Sequence, residues 1–246
     1  MMKKLLIGMV AFGLAISSPQ AMAEDDADAG DAAAGDAAAA DEGPGTQVGV
    51  RLLTHFSKKF KDSDWGIGGW VIMPDVVRLG SSPLVLVGPR YNGGGWWVEV
   101  MAGGLTPVGL VEQPAGHSTT SFVQSTRFQF TPKAFGDSPI NLFGNLQFVD
   151  IGGKNDADES TMFTYTFLMV DYVLPNKVAL IGLETENYFG LTNPQSGEKF
   201  NDLAFGPQVV LPFDGLNILM SYQIHTHENK ENMIWFRAMY NFGGPK

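Results

Sequence analysis

The sequence predicts an all-β chain closed into an antiparallel up-and-down transmembrane barrel. Three observations carry that expectation. From Gln47 onward the chain breaks into runs of about ten residues with period-two alternation, bounded by Gly, Pro, Asn, Asp and Ser clusters. No segment sustains a helical period, and beyond the N-terminal leader no apolar run is long enough to cross a bilayer as a helix. The mean hydropathy is zero, as expected when each strand alternates lipid-facing and lumen-facing residues.

The chain opens with Met1-Met2-Lys3-Lys4, an apolar run from Leu5 to Ile16, and a polar stretch closing on Ala21-Met22-Ala23. That order of charge, apolar core and small residues is a secretory leader over 1–23. It places the mature start near Glu24. Residues 24–46 are nearly all Ala, Asp, Gly and Glu and end in Gly43-Pro44-Gly45-Thr46. Such a segment buries too little apolar surface to offset its ordering entropy and reads as a disordered acidic linker, expected on the periplasmic side.

Residues 47–246 form the barrel. In the first run Val48, Val50, Leu52 and Phe56 share one face, opposite Gln47, Gly49, Arg51, His55 and Ser57, with Leu53 the misfit. The same split recurs at Phe122–Thr131, where Phe122, Phe128 and Phe130, with the neutral Gln124 and Thr126, oppose Ser125, Arg127 and Gln129. It returns in 216–225 and in 233–242, where Ile234, Phe236, Ala238, Tyr240 and Phe242 oppose Trp235, Arg237, Met239 and Asn241.

Clear runs lie near 47–57, 65–73, 83–91, 95–103, 120–131, 140–150, 162–173, 177–189, 202–212, 216–226 and 233–242. Single-chain bacterial barrels have even strand numbers. Accepting the short run 108–113 makes twelve strands; ten is the alternative if the weakest runs are loops. With a periplasmic N-terminus, the short turns at Leu174-Pro175-Asn176 and Phe213-Asp214-Gly215 then face the periplasm, and the longer, more charged connections at 152–161, 190–201 and 227–232 face outward. Trp65, Trp96, Tyr172, Tyr188, Phe189, Phe213, Tyr240 and Phe242 collect near run ends, as an interfacial girdle would. Pro89 and Pro207 interrupt two runs as Gly-Pro steps, where a β-bulge is the expected repair.

The charge is −10 and there are no cysteines. Eight of the acids, from Glu24 to Glu42, belong to the linker, so the rest of the chain is mildly acidic. No basic footprint for nucleic acid is present, and no disulfide or lipidated cysteine is available. No cofactor motif is found: there is no phosphate loop, zinc signature or Gly-x-Ser-x-Gly.

These features together resemble bacterial outer-membrane β-barrels as a class, down to the aromatic C-terminal strand 233–242, although the chain continues through Gly243-Gly244-Pro245-Lys246. Within the class, Gly182-Leu183-Glu184-Thr185-Glu186 and Phe205-Gly206-Pro207-Gln208-Val209-Val210 are similar to small barrels associated with phenol degradation and related transport. The resemblance implies the outer membrane of a Gram-negative bacterium, with outer-membrane lipid and the outer-membrane assembly machinery as partners. It also implies passage of a small, hydrophobic or aromatic solute.

The candidate lumen residues are Arg51, Arg90, Glu99, Arg127, Glu184, Glu186 and Arg237. Charges facing lipid are costly, so in a barrel these must point inward, either pairing across strands or lining a path for solute. His225 and His227, two residues apart, offer two metal ligands without a placed third. His55 with Ser57 is the nearest approach to a hydrolytic pair, lacking a third group and oxyanion donors. The expected function is therefore non-enzymatic: a channel or transporter. A filled structural or adhesion barrel is the alternative, as is a soluble periplasmic barrel or sandwich that binds a ligand.

Overall fold

The computed structural model describes residues 45–77, 83–105, 120–152, 161–192, 198–227 and 230–242. The leader, and the acidic linker ahead of Gly45, lie outside them.

Eleven strands form one closed barrel. They are β1 (Thr46–Lys59), β2 (Trp65–Met73), β3 (Leu84–Asn92), β4 (Trp96–Leu105), β5 (Thr120–Phe130), β6 (Ile140–Gly152), β7 (Thr161–Val173), β8 (Leu180–Thr192), β9 (Lys199–Phe213), β10 (Leu216–His225) and β11 (Asn232–Phe242). Each pairs antiparallel with its neighbours in sequence, and β1 closes the ring by pairing parallel with β11. In the register of that seam, Thr46 lies opposite Asn232 and Phe56 opposite Phe242.

The expectation of twelve strands, or ten, is corrected to eleven among the described residues. The proposed extra run 108–113 lies outside them, and the ring closes with β4 paired directly to β5. The even-number rule misled because hydrogen bonding does not impose it. An up-and-down chain with an odd count brings its first and last strands together pointing the same way, and a parallel ladder satisfies their backbone groups nearly as well.

This parity also corrects the expected topology. The connections 60–64, 93–95, 131–139, 174–179 and Asp214–Gly215 share one end of the barrel with the C-terminal end of β11. The strand ends at Met73, Leu84, Leu105, Thr120, Gly152, Thr161, Thr192, Lys199, His225 and Asn232, between which the longer connections run in sequence, share the other end with Thr46. The entry to β1 at Thr46 is thus at the end opposite the short turns, not at the same end as expected. The 174–179 connection contains a short 3₁₀ turn at Pro175–Lys177, which delays β8 until Leu180, and Asp214-Gly215 turns with Gly215 at φ 74°.

The Gly-Pro steps carry no bulge. On β3, Val87 pairs with Ala102 and Arg90 with Glu99 in one unshifted register, the ladder to β4 lapsing at Gly88 and Pro89. On β9 the ladder to β10 lapses in the same way between Phe205 and Gln208. Each glycine faces inward and brings its backbone against the neighbouring strand's carbonyl, that of Val100 or Tyr222, while each proline faces outward. The absent N–H is accommodated by a local gap. The bulge of this sheet lies between β8 and β9, at Tyr188–Leu191, where Gly190 has φ 72°.

Outward strand positions are mainly apolar, with Leu183 (64% exposed), Ile181 and Phe205 among the most exposed and neutral polar residues such as Gln124 and Thr185 between them. Charges on that face, Lys58, Asp150 and Lys199, stand within three residues of a strand end. At the short-turn end the rings of Trp65, Tyr91, Trp96, Phe130 and Phe135 follow one another at 5.2–6.1 Å, and Tyr240 meets Phe242 at 4.3 Å. Of the expected girdle, Tyr188 is the exception: it points inward, one alternation step from the outward Phe189.

The inside is partly filled. One apolar cluster joins Trp70, Ile72, Leu84, Leu86, Met101, Val123 and Val149, with Leu53 packed against it. Leu53 therefore obeys the alternation, sitting on an inner wall that is itself partly apolar. A second cluster joins Tyr165, Phe167, Met169, Val210 and Leu219.

Candidate functional site

Alternation places all seven sequence-derived charges inward. Glu99 (0% exposed), Glu184, Glu186, Arg237, Arg127 and Arg90 are buried, and Arg51 nearly so. Buried charge is costly unless paired and hydrogen-bonded. Six of the seven meet that requirement in two separate centres.

The first centre surrounds Glu184 and Glu186, which share the inner face of β8 as residues i and i+2. Glu184 accepts hydrogen bonds from Ser221 Oγ (2.7 Å), Gln223 Nε2 (2.6 Å) and Arg237 Nη1 (2.8 Å to Oε2). Glu186 accepts from Arg51 Nη2 (2.9 Å), Arg237 Nη2 (3.0 Å), Tyr165 Oη (3.1 Å) and Tyr188 Oη (3.2 Å). Gln223 also donates to Glu186 at 3.1 Å, and its carbonyl accepts from Trp235 Nε1 at 2.9 Å. The Arg51 guanidinium lies 4.5 Å from the Trp235 ring.

The second centre surrounds Glu99 on β4. Arg90, directly opposite in the β3–β4 register, donates Nη1 at 2.6 Å, and Trp70 donates Nε1 at 2.8 Å. His55 Nε2 lies 2.8 Å from the same carboxylate, and its Nδ1 is 3.2 Å from Asn241 Oδ1. Gly68 makes room for this centre, since a Cβ at that position would collide with the Glu99 carboxyl. The His55 ring stacks on Trp70 at 4.4 Å between centroids. Its nitrogens thus face Glu99 and Asn241, and no hydrogen bond joins it to Ser57.

Arg127 stands apart. It lies over the Trp70 ring at 4.3 Å and donates Nε to Ser125 Oγ at 3.3 Å. Among the described residues it has no carboxylate partner. Asp171, not singled out from the sequence, is its counterpart of opposite sign: buried, and held by Asn141 Nδ2 (3.2 Å) and Gln208 Nε2 (2.6 Å) without a cation. An Asp in an alternating run, at the lumen-facing phase of Phe163, Tyr165 and Phe167, was the available signal for it.

Arg127 and Asp171 both line an interior cavity of about 570 Å³. Its wall reaches from Pro74, Leu84 and Phe163 towards the long-connection end to Ser57, Thr131 and Asn217 towards the short-turn end. Apolar and aromatic side chains dominate the lining, with amides of Gln129, Asn141, Asn145 and Gln147 between them.

The two histidines separate. His225 ends β10 facing inward and pairs with Asp202, which also receives Lys230 at 3.1 Å, whereas His227 lies beyond the strand with its ring tilted against Phe200 at 4.6 Å between centroids. Their expected common strand face fails because β10 stops at His225. No group of three metal-ligating side chains occurs among the described residues. Compared with known proteins, the chain matches no family model and no curated relative.

Proposed function

We propose that this chain is exported by its leader and inserted into the outer membrane of a Gram-negative bacterium, where its barrel admits small, partly apolar molecules. The observation that carries the reading is the contrast between walls: an apolar outer face with charge confined to strand ends, around an interior cavity with buried arginines at its wall. In lipid, a closed barrel satisfies its backbone internally, and the exposed Leu and Phe side chains need no other cover. The Tyr- and Trp-bearing ring at the short-turn end suits a headgroup level. Short turns towards the periplasm put Phe242 on that side and Thr46 at the outer surface.

The likeness to barrels associated with phenol degradation agrees with an apolar solute. The six paired charges shape the wall, and Arg127 is left to meet what enters.

A second reading, a filled structural or adhesion barrel, is favoured by the two apolar clusters and by the pairing of all three buried glutamates with arginine. Reconstitution decides between the two. The full chain should fractionate with outer membranes, change gel mobility on heating, and conduct or release small solutes in liposomes, with Arg127→Ala altering the flux. A heat-modifiable but silent barrel supports the filled reading, and recovery as a freely soluble protein sinks both.

A further inference from the structure

We infer that the interior cavity is a binding site for an amphipathic carboxylate, its head on Arg127 and its aromatic or aliphatic body against the apolar wall. The inference rests on the reading that solutes reach the interior.

The first support is the arginine itself. Arg51, Arg90 and Arg237 each meet a glutamate at 2.6–3.0 Å. Arg127 is as buried, 3% exposed, yet its described partners are the Ser125 hydroxyl and the Trp70 face. Glu99 lies directly opposite it in the β4–β5 register, but both Glu99 oxygens are turned to Arg90, Trp70 and His55. Asp171 is likewise committed to two amides. The terminal amino groups of Arg127 thus lack an acceptor from the described chain and stand at the cavity wall, where an incoming anion can take them.

The second support is the sign of the wall. Arg51, Arg90, Arg127 and Arg237 all reach the cavity surface, whereas Glu99, Glu184 and Glu186 stand behind them and do not line it. Asp171 is the acid that does. A solute inside therefore meets a surface richer in guanidinium than in carboxylate.

Chemistry and size narrow the ligand. The guanidinium fork takes a carboxylate through two parallel N–H···O bonds. Ile72, Val123, Phe143, Phe163 and Phe167 supply a hydrocarbon-compatible wall. About 570 Å³ lies within the ordinary range for small-molecule sites.

The test is calorimetric titration of the purified full-length barrel with three molecules of one shape: 3-phenylpropionate, 3-phenylpropanol and 3-phenylpropylammonium. The carboxylate should bind about tenfold to a hundredfold more tightly than the alcohol, as charge-assisted hydrogen bonds imply, and the ammonium most weakly. Arg127→Gln should erase the preference for the carboxylate over the alcohol, and Arg127→Lys should keep part of it. Equal affinities, no binding of any of the three, or a preference that survives Arg127→Gln overturns the inference; the wild-type comparison does so even where a variant does not fold. Liposome flux separates this from the transport reading. A barrel that discriminates without passing solute keeps the site and loses transport, and one that conducts without discriminating does the reverse.

Discussion

The two glutamate centres use the same chemistry over very different reaches. Glu99 on β4 collects its partners from the three preceding strands, and its arginine is its direct cross-strand neighbour. Glu184 and Glu186 take theirs from β7, β10, β11 and β1 as well as Tyr188 on β8, and Arg51 reaches them across 135 residues of chain. The Glu99 carboxylate can be enclosed as soon as β1 to β4 associate. The Glu184–Glu186 centre needs β1 and β11 side by side, so it fastens the seam where the ring closes. Burial alone therefore says little about what an ion pair holds together; the separation of its strands says more.

The sharpest way to break that contrast is Glu184→Ala, which leaves Arg51 and Arg237 sharing the one carboxylate of Glu186 beside the seam and takes the acceptor from Ser221 and Gln223. A loss of about 3–5 kcal/mol is expected, as for other buried pairs cut on one side. It should be read as a lower unfolding temperature in detergent and loss of the compact gel form. Arg90→Ala should cost less, about 2 kcal/mol, because Glu99 keeps Trp70 and His55. If the order of these two is reversed, the seam is not where the strength lies. Tyr188→Phe removes one of five donors to Glu186 and should cost about 1 kcal/mol in the same melt. Arg127→Met should stay within about 1 kcal/mol of the parent, since the lost stacking on Trp70 is offset by relief of an unpaired buried cation. A large loss there would mean that Arg127 belongs to the scaffold.

Much of this was legible from alternation. The inward direction of every candidate charge, the outward Phe122, Phe128 and Phe130, and most strand positions follow from a period of two and the cost of charge in lipid. Partnerships were not legible, because Glu186 meets Arg51 only once closure and register are known. β2 hid its facing altogether: Trp65-Gly66-Ile67-Gly68-Gly69-Trp70-Val71-Ile72 is apolar or glycine on both sides, one packing the interior and the other the exterior. Strand number failed through a rule of parity that overrode a correct count of runs. Tyr188 was assigned by its nearness to a strand end, where its phase relative to Glu184 and Glu186 would have turned it inward.

The parallel seam has a practical meaning for anyone labelling this molecule. A tag joined directly to Thr46 and a tag joined to Phe242 stand at opposite mouths of the barrel, so under the proposed insertion in an outer membrane one impermeant probe applied to intact cells should reach one label and spare the other. With an even number of strands both would be reached or spared together, and the two ends of the chain thus serve as their own compass.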